Sequence, residues 1–376
     1  MKITIDEHRA TPDISLESYV RQCQVSLAIV LEGKVAIYLD LKFWIALREA
    51  ALGCCKDNSS LEFLALLRRL VAADKVFCPI SDSAFIEIFK QSDASTRRAT
   101  VELVDELSQG VTLIPLDLRI GTEIAHFIHA TLTPLKVYPL HHLMWTKLSY
   151  VLGYTHPAWS SFDPASELAM QKAFFDHMWT ISLTQMDGLI GEAMPGASQR
   201  FDALAAQLNA ANRQHAAELR SFEQTYHLEL SGVLELYAER AADVLNRMAQ
   251  SQIGESASRG SAQWQELERN CTNLLMAAFK KDVTKDALRT IHIKTCLHAS
   301  VRWDKKRQFK ANDFFDFQHA AAAVGYCDAF FTERSLCAMI RRPDVALDKR
   351  YKCHVGSTMA EALAFARALD LMPIER

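Results

Sequence analysis

The sequence predicts an α/β protein whose parallel sheet is interrupted by a large all-α insertion, and three observations carry that reading. Short apolar runs alternate with amphipathic segments over residues 34–118, the same rhythm returns from about residue 289, and the stretch between loses it. Strands that alternate with helices imply a parallel sheet covered on both faces. The expected division is therefore 1–118 and 289–376 as two parts of one domain, with 119–288 inserted. A chain of 376 residues, 49% of them hydrophobic, can bury a core of that size.

Residues 35–40, Val-Ala-Ile-Tyr-Leu-Asp, are a continuous apolar run ending in an acid, suited to a strand buried on both faces. Apolar residues then recur at helical spacing from Phe43 to Leu52, and Gly53 stops them. Residues 61–71 read as a second helix, 76–80 as a second strand, 83–91 as a third helix with a serine or aspartate at its start, and 111–116 as a third strand. Between Gly196 and Gly254 the only glycine is Gly232 and proline is absent. This predicts two long helices, or one interrupted at Ser231-Gly232, forming a helical hairpin for packing or homo-oligomerisation. Residues 251–261, rich in serine and glycine, read as a loop. A helix over 314–324 with four consecutive alanines follows, then a strand over 329–332, a short helix over 335–341, a last strand over 352–355 and a helix over 358–369.

The net charge of -3 hides a local asymmetry. Arg302, Lys305, Lys306, Arg307 and Lys310 crowd the chain just before an acidic motif, and Arg341-Arg342 follow it. Such a balance argues against non-specific coating of nucleic acid but permits a basic rim beside an acidic centre. The nine cysteines have no Cys-x-x-Cys spacing and an odd total. Asp6, Glu7, His8 and Arg9 interrupt any apolar leader, and no uncharged run suits a membrane span. Reduced thiols, a cytoplasmic location and no membrane partner are expected.

In an open parallel sheet the C-terminal ends of the strands converge on one edge, where ligands bind. Asp40 ends the first strand, and Glu87 lies one turn into the helix after the second. Asp313 and Asp316 open the helix that precedes the strand ending at Thr332. Carboxylates gathered there repel one another unless a cation neutralises them. A hard ion, Mg2+ or Mn2+, is the natural partner, and it would activate water against a phosphodiester. Each acid also has a plainer reading: Asp40 and Asp313 as helix caps, Glu87 as a solvated helix residue. His319 shares a helical face with Asp316 and is expected to orient it, to contact a phosphate or simply to be buried. Thr332 reads either as a strand residue or as a holder of an acid or phosphate. Arg302, Lys305, Lys306 and Arg307 are candidates to hold a phosphate backbone, with Trp303 and Phe309 for base stacking. His126-x-x-His129, His141-His142 and Cys296-x-His298 with His292 lack a second pair at zinc spacing, so they read as core or surface side chains.

The order Leu39-Asp40, Ser81-x-x-x-x-x-Glu87, Asp316-x-x-His319-Ala320-x-Ala322, Cys327-Asp328-x-Phe330-x-Thr332 resembles the PIN domain, shared with flap endonucleases and many bacterial toxins. The resemblance implies a Rossmann-like parallel sheet and a Mg2+- or Mn2+-dependent endoribonuclease acting on single-stranded or structured RNA. It makes Asp40, Glu87 and Asp316 the catalytic acids and metal ligands, with Asp313 as an additional ligand. The toxin branch of the family also implies a neutralising protein partner. The family places a fourth acid two residues after the last threonine, where this chain has Arg334; Glu333 and Asp328 are the candidates to replace it. That departure supports an alternative, a catalytically degenerate module that binds RNA or a protein. A third reading is a magnesium-dependent phosphohydrolase with a narrow pocket.

Overall fold

The computed structural model describes residues 4–55, 57–133, 137–158, 161–191, 198–215 and 218–371. Gly196, where the long helical stretch was expected to begin, lies outside them. Six strands are described: β1 (Val35–Leu39), β2 (Val76–Phe77), β3 (Val111–Leu113), β4 (Trp145–Lys147), β5 (Ala329–Phe331) and β6 (His354–Gly356). The main sheet has the order β2-β1-β5-β6, and every neighbouring pair is parallel. Tyr38 faces Phe330 and Leu39 faces Phe331 in register. Helices account for most of the remaining chain. The protein is thus α/β with a small parallel sheet and a large helical content.

The apolar runs form the centre because both of their faces are covered: Ile37, Tyr38, Leu39, Phe330 and Phe331 are all fully buried. Helix Asp313–Tyr326 packs against helix Arg289–Trp303 and against β5, and the small side chains of Ala320, Ala321, Ala322 and Ala323 are buried on all its faces. At Gly356 a Cβ would stand 2.8 Å from the Phe331 ring, so β6 can lie beside β5 only without a side chain there.

The stretch expected to be all-α is not. β4 lies within it and pairs antiparallel with β3, and an isolated parallel bridge between Ile80 and Thr112 joins that pair to the β2 side. The expected boundary at 118/119 falls inside helix Leu116–Leu132. Instead of a hairpin broken at Ser231-Gly232, three helices follow one another, Ser198–His215, Phe222–Leu236 and Ala238–Ile253. Gly232 sits inside the second of them, and the chain turns at Tyr237. Leu230, Leu234, Ala242 and Trp264 from this region belong to the same buried core as Ile293 and Phe331. Among the described residues no helix is long and apolar enough to cross a membrane.

Candidate metal centre

β1 is flanked by β2 on one side and β5 on the other, so the strand order reverses at its C-terminal end. A crevice opens at such a switch point, and the residues that leave the two strands meet there. Asp40, the first residue after β1, donates its backbone N–H to Phe331 O at 3.0 Å. Its Oδ1 accepts from Leu41 N at 2.6 Å, capping helix Leu41–Ala51. Its Oδ2 accepts from the buried Thr332 hydroxyl at 2.7 Å. The cap and the strand-end threonine therefore fix both oxygens, and each retains a lone-pair direction for a further partner.

Glu87 is carried by helix Asp82–Phe89, which follows β2, and its Oε2 lies 2.8 Å from His319 Nε2. His319 is 0% exposed, and its Nδ1 is 2.7 Å from the Tyr38 hydroxyl. That hydroxyl lies 2.6 Å from Ser81 Oγ, which in turn lies 2.8 Å from Ser83 Oγ. A buried polar chain thus runs from the sheet through the imidazole to the Glu87 carboxylate. Donor atoms of Asp40, Glu87 and His319 lie within 4.8 Å of one another, so the group can hold a metal ion.

Asp316 completes the electrostatics. It lies on helix Asp313–Tyr326, where Asn312 Nδ2 donates to its Oδ1 at 3.3 Å. Burial, and then the charge of Asp40, push its carboxyl up to about 7. For His319 burial works downward, but the hydrogen bond and charge of Glu87, with the charges of Asp40 and Asp316, prevail and raise it to about 9. A cationic imidazole donates from both nitrogens, here to Glu87 and to Tyr38. In that state His319 positions Glu87; loss of the Nε2 proton would free that nitrogen for a metal beside the Asp40 and Glu87 carboxylates.

The other expected site residues go to different places. Asp313 accepts from Arg307 Nη2 at 2.9 Å and from Lys310 N at 2.9 Å, closing the loop before the helix. Its oxygens serve that loop, and Arg307 is tied to it. Arg302 is paired with Glu229 at 2.6 Å, so of the basic run only Lys305 and Lys306 stand exposed with the adjoining Lys310. Phe309 is buried against His298 and Phe314, which removes it as a stacking surface. Asp328 precedes β5, and its Oδ2 accepts from Ala36 N at 2.8 Å near the start of β1. It therefore sits at the opposite edge of the sheet and cannot replace the fourth acid. Glu333 is exposed at the head of helix Arg334–Ile340, near enough for its charge to help raise Asp316. His319 orients Glu87 rather than Asp316.

Tyr38 and Ser83 belong to the site and were not expected there. The period of two along a strand places Tyr38 on the same face as Asp40, a signal that could have found it. A hollow of about 230 Å³ elsewhere, between helices Ala238–Ile253 and Ala262–Ala278, is lined by residues such as Leu245, Asn246 and Leu267 and includes none of the acids. The chain matches no family model, no curated protein and no solved structure.

Proposed function

We propose that this protein is a PIN-type nuclease that hydrolyses phosphodiester bonds in single-stranded or structured RNA with the help of Mg2+ or Mn2+. The observation that carries the reading is the meeting of Asp40, Glu87 and His319 donor atoms where the strand order reverses, with the Asp316 carboxyl raised to about 7 by burial and the charge of Asp40. The donor set fits a hard divalent ion: oxygen donors predominate, and negative charge is concentrated where the His319 imidazole is already engaged by Glu87.

Asp40, Glu87 and Asp316 are the residues that would hold the ion. A divalent cation in that position supplies Lewis-acid stabilisation of the phosphodiester and a water of lowered pKa. The chain supplies orientation. Thr332 and Leu41 N fix the Asp40 carboxylate, while His319, anchored by Tyr38, fixes Glu87. Asp316 must release its proton to act as an anionic ligand. Lys305 and Lys306 offer exposed positive charge on the loop that Asp313 closes, suited to a phosphate backbone.

Two observations favour a second reading, a non-cutting module that binds RNA or a protein. Arg334 occupies the expected place of the fourth acid, and Asp313 is tied to Arg307. The discriminating experiment incubates single-stranded RNA and DNA with the purified chain and Mn2+, beside Asp40→Asn and Asp316→Asn. Cleavage of RNA abolished by both substitutions is the expected result. Full cleavage by either variant, or none by the parent chain, would favour the second reading.

A further inference from the structure

A second group of metal-binding side chains lies at the other end of β1. Glu32 stands at the C-terminus of helix Leu16–Leu31, three residues before β1 begins, whereas Asp40 follows its end. His141 and His142 occupy a short 3-10 helix, Leu140–Leu143, just before β4. His142 Nε2 lies 2.8 Å from Glu32 Oε1, and donor atoms of all three side chains lie within 4.8 Å of one another. The two segments are joined independently of these groups, because Gln24 Nε2 donates to Leu143 O at 3.2 Å.

We propose that Glu32, His141 and His142 form a zinc site that pins the end of helix Leu16–Leu31 to the short helix before β4. Imidazole and carboxylate donors suit Zn2+, in contrast to the oxygen-rich set at Asp40. Zinc bonds of about 2.0–2.1 Å require ligand atoms roughly 3.4 Å apart in a tetrahedron. The present separations reach that arrangement by side-chain rotation, because Glu32 and His141 are exposed. Arg289 adds a positive charge near His141 and weakens the site. Two histidines and one carboxylate leave a fourth position for water. The pairing is invisible in sequence because the carboxylate comes from a segment 110 residues before His142. This site is independent of the nuclease reading. Its place at the opposite end of β1 from the acids gives it a structural role, stabilising the fold by mass action when zinc is present.

The test measures zinc bound per chain by equilibrium dialysis and atomic absorption. It uses the full chain, an Asp40→Asn/Glu87→Gln double variant, and each of these with His141→Ala added. His141→Ala alters an exposed ring, and circular dichroism verifies that each variant is folded. The expected result is a loss of one zinc equivalent on adding His141→Ala in both backgrounds, with Glu32→Gln weakening the same equivalent. Cobalt bound to the parent chain should give visible d–d bands that His141→Ala removes. Unchanged stoichiometry on His141→Ala, no zinc bound by the parent chain, or zinc lost only through Asp40→Asn/Glu87→Gln would overturn the proposal.

Discussion

Replacing Asp316 with asparagine is expected to stabilise the metal-free protein while weakening its hold on a divalent ion. The carboxyl stands at about 7 in the folded chain against an ordinary 3.8. At 1.36 kcal/mol per pH unit this rise corresponds to about 4 kcal/mol. The sign follows from proton binding. Between those values the folded state holds the proton and the unfolded chain has lost it, so stability falls as pH rises from 3.8 to about 7. Above that window the whole penalty is present; below it there is none. Asp316 is only partly buried, so solvent screening reduces the ceiling, and a gain of about 2 kcal/mol is expected for Asp316→Asn at pH 8. Urea denaturation of both proteins with a chelator, at pH 4 and at pH 8, reads it directly. Added Mn2+ should then stabilise the parent chain more than the variant, since the variant keeps one carboxylate fewer to neutralise. Equal stabilities at pH 8, or a difference that does not change with pH, would refute the argument that Asp316 is a desolvated acid facing Asp40.

Three further outcomes follow from individual contacts. Thr332→Val removes the hydroxyl that orients Asp40 Oδ2 and should lower Mn2+ affinity by roughly 10–100-fold in calorimetry. Tyr38→Phe leaves Nδ1 of the His319 imidazolium only the longer contact to Ser83 Oγ at 3.4 Å, so its titration, followed by NMR, should move below about 9, with a stability loss of about 1–3 kcal/mol. Asp328→Ala leaves Ala36 N without its acceptor; it should destabilise the fold by about 1–2 kcal/mol and leave Mn2+ affinity unchanged.

Much of the sheet was legible because its strands are continuous apolar runs with an acid or threonine at the end. Val35–Leu39 and Ala329–Phe331 fall within one residue of their expected bounds. β4 was not legible. At three residues it is too short for a period of two to repeat, and its partner β3 is distant in sequence, with Val111 against Lys147 and Leu113 against Trp145 in register. The three helices after Ser198 were misdivided because Gly232, read as a break, is tolerated inside Phe222–Leu236, while the turn at Tyr237 carries no glycine or proline. The order of the acids was readable, since each follows a recognisable element. The connection of Glu87 to His319 spans 232 residues and that of Tyr38 to His319 spans 281, so only tertiary contact establishes them. Asp313 misled for a related reason: an acid in the first turn of a helix looks the same in sequence whether it faces a cation or closes a loop on Arg307.

The central claim, that Asp40, Glu87 and Asp316 hold a divalent ion, is tested most directly by Mn2+ calorimetry on a His141→Ala chain, which lacks the second site, with and without Asp40→Asn. The account expects Mn2+ binding by the His141→Ala chain that strengthens as pH rises through about 7, where Asp316 ionises, and that disappears with Asp40→Asn. Equal binding by the two chains, or none by either, would contradict it.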